Sequence, residues 1–336
     1  TTSMLTEILL AAEADPTVTV GGILPAIGGN IRVGGPEFFV AEACEYTNSF
    51  LSFFPTMEII LNIEADHLDF FKDLEDIRHS FRLFAQKLDE NGVLIINRDI
   101  ERMEEITEGL PCKVITFGKD PEKSIYSAAD IVFDQLARAS YTLLIEGRPE
   151  GTITLGVPGM HNVYNSLSAI AASRELGISM EKIRTGLLHF TGTNRRFEKK
   201  GEIGGVTVID DYAHHPQEIR ATLATAKNYP HKKLWCVFQP HTYTRTAALL
   251  DDFVQALMEA DEVILADIYA AREVNTIGIS SADVAERIQA AGGKAHYIPS
   301  FDDIETFILE NCVPGDLLIT MGAGDIVKVG EKLLGL

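Results

Sequence analysis

VIDDYAHHPQEI, residues 208–219, passes from an apolar run to two aspartates, a tyrosine, two histidines and a proline. The run reads as a buried strand, and Pro216 suits the first turn of the next helix. Folding alone does not call for so many polar groups at a strand's carboxyl end, and in doubly wound sheets ligands bind beyond those ends. The stretch therefore predicts both a parallel α/β sheet and a site on it. Asp211 can accept hydrogen bonds from ribose hydroxyls, while Tyr212, His214 and His215 can contact a substrate. A site held by a metal alone is less suited, because the side chains of adjacent histidines diverge.

Around that stretch, strand candidates at 206–210, 234–238, 262–266, 295–298 and 317–321 alternate with helical patterns. They predict a Rossmann-like α/β domain over residues 189–336. Residues 1–188 give a second α/β series. It opens with a helix whose apolar face carries Met4, Leu5, Ile8, Leu9 and Ala12, then strands at 38–41, 57–63, 93–97 and 114–117 and a helix over 77–88. Period-two patterning from Asp130 to Gly156 predicts an antiparallel appendage to that parallel sheet. PGMHNVYNSLSAIAASRELG then supplies a helix ending at Gly177, with a shorter one over 180–188. No repeat of fixed period and no low-complexity tract interrupts either series.

Composition narrows the function classes. The 336 residues are 46% hydrophobic and 23% charged, the balance of a globular chain of two domains. Forty-nine acidic against 29 basic residues leave a formal charge of −20, which repels phosphate backbones and anionic lipids, so neither nucleic acid nor membrane is the expected partner. Apolar runs fall well short of the ~20 residues of a spanning helix. The four cysteines lack metal or redox spacing and read as reduced thiols in a cytoplasmic protein.

Further candidates stand at other strand ends and at the domain junction. Glu42 comes after FFVAEA begins its turn, and His67 ends MEIILNIEADH. Both would project over one sheet edge, where a carboxylate and an imidazole can hold a divalent cation completed by phosphate oxygens and water; they serve equally as a capping acid and a hydrogen-bonded loop histidine. Asn162 and Asn165 in HNVYN share one face of a helix's first turn, suited to a base edge or phosphate oxygens, or simply to capping. Arg195 and Arg196 in TGTNRRFEKKG stand at the junction, where a guanidinium can meet a phosphate or rest in solvent. FQPHTYTRT offers His241, Thr242, Thr244 and Arg245, and the glycines of TMGAGDI permit a tight turn beside a ligand.

Taken together, TTSM, VAEACEYTNSF, NIEADHLD, PGMHNVYN, GTNRRFE, VIDDYAHHPQEI, FQPHTYTRT, DIYAARE and TMGAGDI run from end to end in the order found in the Mur ligases of peptidoglycan synthesis, which the chain closely resembles. The resemblance implies a mononucleotide-binding central domain and an ATP-dependent ligase. ATP would phosphorylate the carboxylate of UDP-N-acetylmuramate, and the amine of L-alanine would attack the acyl phosphate. It implies Mg2+ held by Glu42 and His67, nucleotide contacts from Asn162 and Asn165, a phosphate-facing Arg196 and a ribose-binding Asp211. Tyr212, His214, His241 and Arg245 would lie toward the muramate and the amino acid. IRHSFRLFAQ has no equivalent of the carbamylated lysine of several sister ligases, which fits the alanine-adding branch, whereas Thr242 stands where some relatives carry arginine.

By the same resemblance TTSMLTEILL is similar to the segment immediately after the lysine of a Gly-Lys-Thr phosphate-binding loop. The expectation is a chain that starts just downstream of that loop, without the amino-terminal UDP-binding domain, and that cannot ligate by itself. Two other readings are a murein-recycling ligase that attaches a preformed tripeptide, and a non-catalytic nucleotide-binding fragment.

Overall fold

The computed structural model describes residues 1–67 and 70–336, which divide into two compact units, residues 1–134 with 138–192 and residues 193–336 with 135–137. In the first, helix α1 (Thr2–Ala11) buries Met4, Leu5, Ile8 and Leu9, the spacing that places side chains on one helical face. Strands β1 (Thr17–Leu24), β2 (Gly29–Arg32) and β3 (Phe39–Ala41) form a three-stranded sheet with β1 in the middle, antiparallel to β2 and parallel to β3.

A second sheet takes β4 (Met57–Ile60), β5 (Val93–Asn97), β6 (Lys113–Phe117), β7 (Tyr126–Phe133), β8 (Arg138–Ile145) and β9 (Arg148–Pro158) in chain order. Helices α2 (Leu74–Ala85) and α3 (Met103–Thr107) connect its parallel strands. One sequence expectation is corrected here. The strands expected at 38–41 and 57–63 do not share a sheet, because the hairpin β1–β2 supplies the partner of β3; its alternation, Thr17 to Val20, is cut short by Gly21 and Gly22. The antiparallel segment extends the second sheet as expected: β7 opens in parallel pairing with β6 through Phe117 and Tyr126, then turns antiparallel to β8.

Helix α4 (Met160–Glu175) is buried continuously from Ser166 to Ser173, where alanines and serines let neighbours approach. Helix α5 (Met180–His189) meets α1 so closely that a Cβ on Gly186 would stand 2.5 Å from the Cα of Ile8. Only glycine fits there.

The second unit runs β10 (Glu198–Ile203), β11 (Val206–Asp211), α6 (Pro216–Lys227), β12 (Leu234–Phe238), α7 (Tyr243–Ala248), α8 (Leu250–Leu257), β13 (Glu262–Leu265), α9 (Ser281–Ala290), β14 (Ala295–Tyr297), α10 (Phe301–Asn311), β15 (Leu317–Met321) and α11 (Val327–Leu334). Its sheet has the order β10-β11-β15-β12-β13-β14, parallel except for β10 at one edge. One face packs Ile209, Cys236, Phe238, Leu265 and Ile319, the other Val208, Val237, Ile264 and Leu318, so the central strands are apolar on both sides. Inserting the last strand between β11 and β12 brings three strand-end loops side by side: DDYAHH, QPHTYT and MGAGD. Among the described residues no helix is long and apolar enough to cross a membrane.

Candidate functional site

In the second unit the loop after β11 is held by acids within its own neighbourhood. Asp211 is buried, and its two carboxylate oxygens accept the backbone N–H groups of Phe197 and Ala213, each at 2.8 Å. Burial pushes its carboxyl up to about 6, against the pull of those two N–H groups and of Arg196. Glu218 reaches back from the first turn of α6 to accept the N–H groups of His214 and His215 at 2.9 and 3.2 Å, and Pro216 opens that helix as expected. The imidazole of His214 donates from Nδ1 to the Tyr212 carbonyl at 3.0 Å and lies 3.3 Å from Glu218. A carbonyl only accepts, so Nε2 takes the acceptor role in the neutral ring.

The expected substrate-side residues form one strip over the strand ends. The Arg196 guanidinium lies over the Tyr212 ring at 5.5 Å. Tyr212 meets His214 edge-on at 5.6 Å, and His214 meets His241 at 5.7 Å. His241 in turn stacks on Tyr269 at 5.6 Å and sits 3.4 Å from the Arg245 guanidinium. Cationic and aromatic groups thus alternate along a surface suited to anionic ligands with planar parts. Tyr269, from DIYAARE, is a member that residue-by-residue reading missed.

Arg195 and Arg196 part company in the structure. Arg195 donates to buried Asp210 at 2.9 Å and to the carbonyls of Gly322 and Gly324 at 2.7 and 3.0 Å, tying its loop to β11 and to the turn after β15. Arg196 is half exposed, with Glu218 at 3.9 Å. At the neighbouring strand end, Glu273 accepts the N–H groups of Tyr243 and Thr244 at 2.6 and 3.0 Å, which fixes the start of the helix carrying Arg245. Thr242, just before it, is held at φ 66°, and Arg195 and Phe197 are also left-handed. Such backbone strain in non-glycine residues gathers at functional sites. A Cβ on Gly324 would strike the Gln239 amide oxygen and stand 2.8 Å from the Tyr269 ring. Gly324→Ala should therefore lower the stability of this unit by about 1–3 kcal/mol, read as a drop in its urea midpoint.

In the first unit the loops after β3 and β4 meet. His67 Nε2 lies 3.3 Å from Glu45, and the His67 ring sits on Tyr46 at 4.6 Å. That hydrogen bond holds the Glu45 carboxyl below its ordinary range despite burial. The exposed Glu42 carboxylate accepts the Gly21 N–H at 3.0 Å. Thr47, Asn48 and His67 all have left-handed backbones, and Asn48 takes the Ser80 hydroxyl. Among the described residues no three His, Cys, Asp or Glu side chains gather as a metal cluster. Asn162 and Asn165 stand on one face as expected: Asn165 donates to the Asn162 amide oxygen at 3.1 Å, and Asn162 donates to the Pro158 carbonyl at 2.7 Å.

An α/β pair of this kind, with ligand-ready loops at its strand ends, matches two family descriptions: the Mur ligase middle domain over residues 1–173, and the Mur ligase, glutamate ligase domain over residues 195–324. The chain belongs to the Mur ligase family. It is 65% identical over 334 residues to the UDP-N-acetylmuramate–L-alanine ligase of Lachnospira eligens, covering 99% of this chain and 73% of that one. It is 59% identical to the enzyme of the same name from Agathobacter rectalis, covering 99% and 72%. Among solved structures, the UDP-N-acetylmuramate–alanine ligase of Thermotoga maritima superposes with a TM-score of 0.82 at 28% identity, covering 99% of this chain and 71% of that one. A murein peptide ligase from Psychrobacter arcticus superposes with a TM-score of 0.72 at 25% identity, covering 99% and 74%.

Proposed function

We infer that this chain carries the central and carboxyl-terminal parts of an ATP-dependent ligase that joins L-alanine to UDP-N-acetylmuramate in peptidoglycan synthesis. The observation that supports this most directly is 65% identity, sustained over 334 residues, to a ligase of that name. In the proposed reaction the muramate carboxylate takes the terminal phosphoryl group of ATP, and the amine of L-alanine then displaces phosphate to form the amide. Each chain residue has an assigned part. Asn162 and Asn165 bind the nucleotide through the amide groups left over from their mutual bond. Arg196 neutralises phosphate charge, and Asp211 offers ribose hydroxyls the second lone pairs of oxygens already anchored by backbone N–H groups. Tyr212, His241 and Arg245 orient the carboxylate-bearing substrate and the amino acid. His214, with Nε2 as the acceptor, is placed to take a proton from the incoming ammonium.

By the family resemblance, Glu42 and His67 would be the protein ligands of Mg2+. The Glu42 carboxylate takes a single backbone bond and is exposed, and Mg2+ characteristically keeps few protein ligands and several waters or phosphate oxygens. The ion would supply charge neutralisation on the transferred phosphoryl group. The four thiols are unpaired, which supports a reducing compartment, the cytoplasm.

The test is mass spectrometry of the product made by the full product of the reading frame with ATP, Mg2+ and UDP-N-acetylmuramate, offered L-alanine and a murein tripeptide in competition. Gain of one alanyl residue is expected. Gain of the tripeptide would reassign the chain to the recycling ligases.

A further inference from the structure

At the end of the second unit's sheet opposite the strip, where strands β12, β13 and β14 begin, lies a cavity of about 440 Å³. That is within the range of small-molecule sites. Strand alternation puts Lys233 and Trp235 on one face before and within β12, and pairing brings Trp235 beside Glu262 of β13. Lys294 and His296, two apart at the start of β14, complete the group.

Its electrostatics run against those of the whole chain, whose formal charge is −20. Three basic side chains converge on a single buried carboxylate: Lys233 at 3.2 Å and Lys294 at 3.3 Å share one oxygen of Glu262, and His296 lies 3.4 Å from the other. Two lysine ammonium groups outnumber the one carboxylate of the lining, so the cavity attracts anions. Its walls are aromatic. The Trp235 indole is pinned by its N–H bond to buried Asp316 at 2.9 Å, and Phe307 stands edge-on to it at 6.4 Å and 4.8 Å from the His296 ring.

We propose that this cavity is a second binding site, separate from the strip, for a phosphate monoester carrying an aromatic or heteroaromatic ring. The phosphate meets Lys233, Lys294 and His296, and the ring lies against Trp235 and Phe307. Lysines and rigid aromatic walls serve these two halves of a ligand better than either would alone.

Trp235 is the chain's single tryptophan and lines this cavity, so in the folded chain its fluorescence is a direct probe of the cavity. Titrating the 336-residue chain with phenyl phosphate should give a saturable change in tryptophan emission, and inorganic phosphate should compete only at concentrations about tenfold higher or more. Lys294 is largely exposed, so Lys294→Glu should fold and should weaken phenyl phosphate binding at least about tenfold. Glu262→Gln removes the lining's one carboxylate and should tighten binding several-fold, the opposite direction. An emission change that does not saturate by about 10 mM, or affinities unaltered in both variants, would overturn the proposal.

Discussion

Arg195→Ala should destabilise the carboxyl-terminal unit by about 3–5 kcal/mol, the largest single effect expected of any site-loop substitution. The reason is what the side chain leaves behind. Asp210 is fully buried, and among the described residues only Arg195 and the Thr320 hydroxyl, at 2.7 Å, hydrogen-bond its carboxylate. Burial already raises its pKa against the help of Arg195. Without the guanidinium the acid must take up a proton or stay charged and unpaired, and the carbonyls of Gly322 and Gly324 lose their donors. Urea denaturation tracked by Trp235 fluorescence measures the loss, and adding Asp210→Asn should restore part of it. Arg196→Ala should behave differently. Its guanidinium is half exposed, so stability should change by no more than about 0.5–1 kcal/mol. In the full reading-frame product its kcat/KM should fall by about tenfold or more if it meets phosphate as proposed. A loss below about 1 kcal/mol for Arg195→Ala would mean that water enters and solvates Asp210.

The second large effect concerns pH. Glu58 lies in β4, 2% exposed, and neither carboxylate oxygen has a hydrogen-bond partner among the described residues. Burial pushes its carboxyl up to about 8, and Lys87 offsets only part of that. Between the ordinary glutamate value near 4.5 and about 8, the folded chain holds a proton that the unfolded chain has lost. More protons bound in the folded state means that stability falls as pH rises through this window and levels off above it. The total is up to about 5 kcal/mol. Glu58→Gln, neutral throughout, should flatten this dependence and leave the chain more stable than the parent at about pH 8.5 but not at about pH 4.5. Urea midpoints at the two pH values decide it. Equal pH slopes in parent and variant would show that Glu58 is ionised and solvated.

Each expectation turns on a buried acid to which sequence reading gave no part, Asp210 or Glu58, for a physical reason. Asp210 sits beside Asp211 in the most informative stretch of the chain, yet nothing in local pattern says that it meets a guanidinium 15 residues upstream. Glu58 lies in a run legible as a strand, but which strand face is buried depends on α2 and its neighbours packing over it. Tyr269 and Glu273 reach the site through contacts about 30 residues distant, with His241 and with the start of α7. The β1–β2 hairpin is hidden because glycines break its alternation, so its strand identity comes from pairing with β3.

The legible part is just as specific. The strands at 93–97, 234–238 and 317–321 are bounded to the residue by pattern alone, because strands buried on both faces are written as unbroken apolar runs ended by polar turns. The polar residues after the runs at 206–210 and 234–238 are legible as candidates because the carboxyl end of a parallel strand opens onto ligand-binding loops whatever else surrounds it. Local periodicity and contiguous motif thus suffice for those elements and for the family, since each is written within a short stretch of chain. Long-range packing was needed to show that Arg195 locks a loop while Arg196 faces outward, that Asp211 binds its own backbone, and that Lys233, Lys294 and His296 surround one carboxylate. Those outcomes depend on which distant groups the sheet order places within hydrogen-bonding reach, and that order is set by packing the whole core.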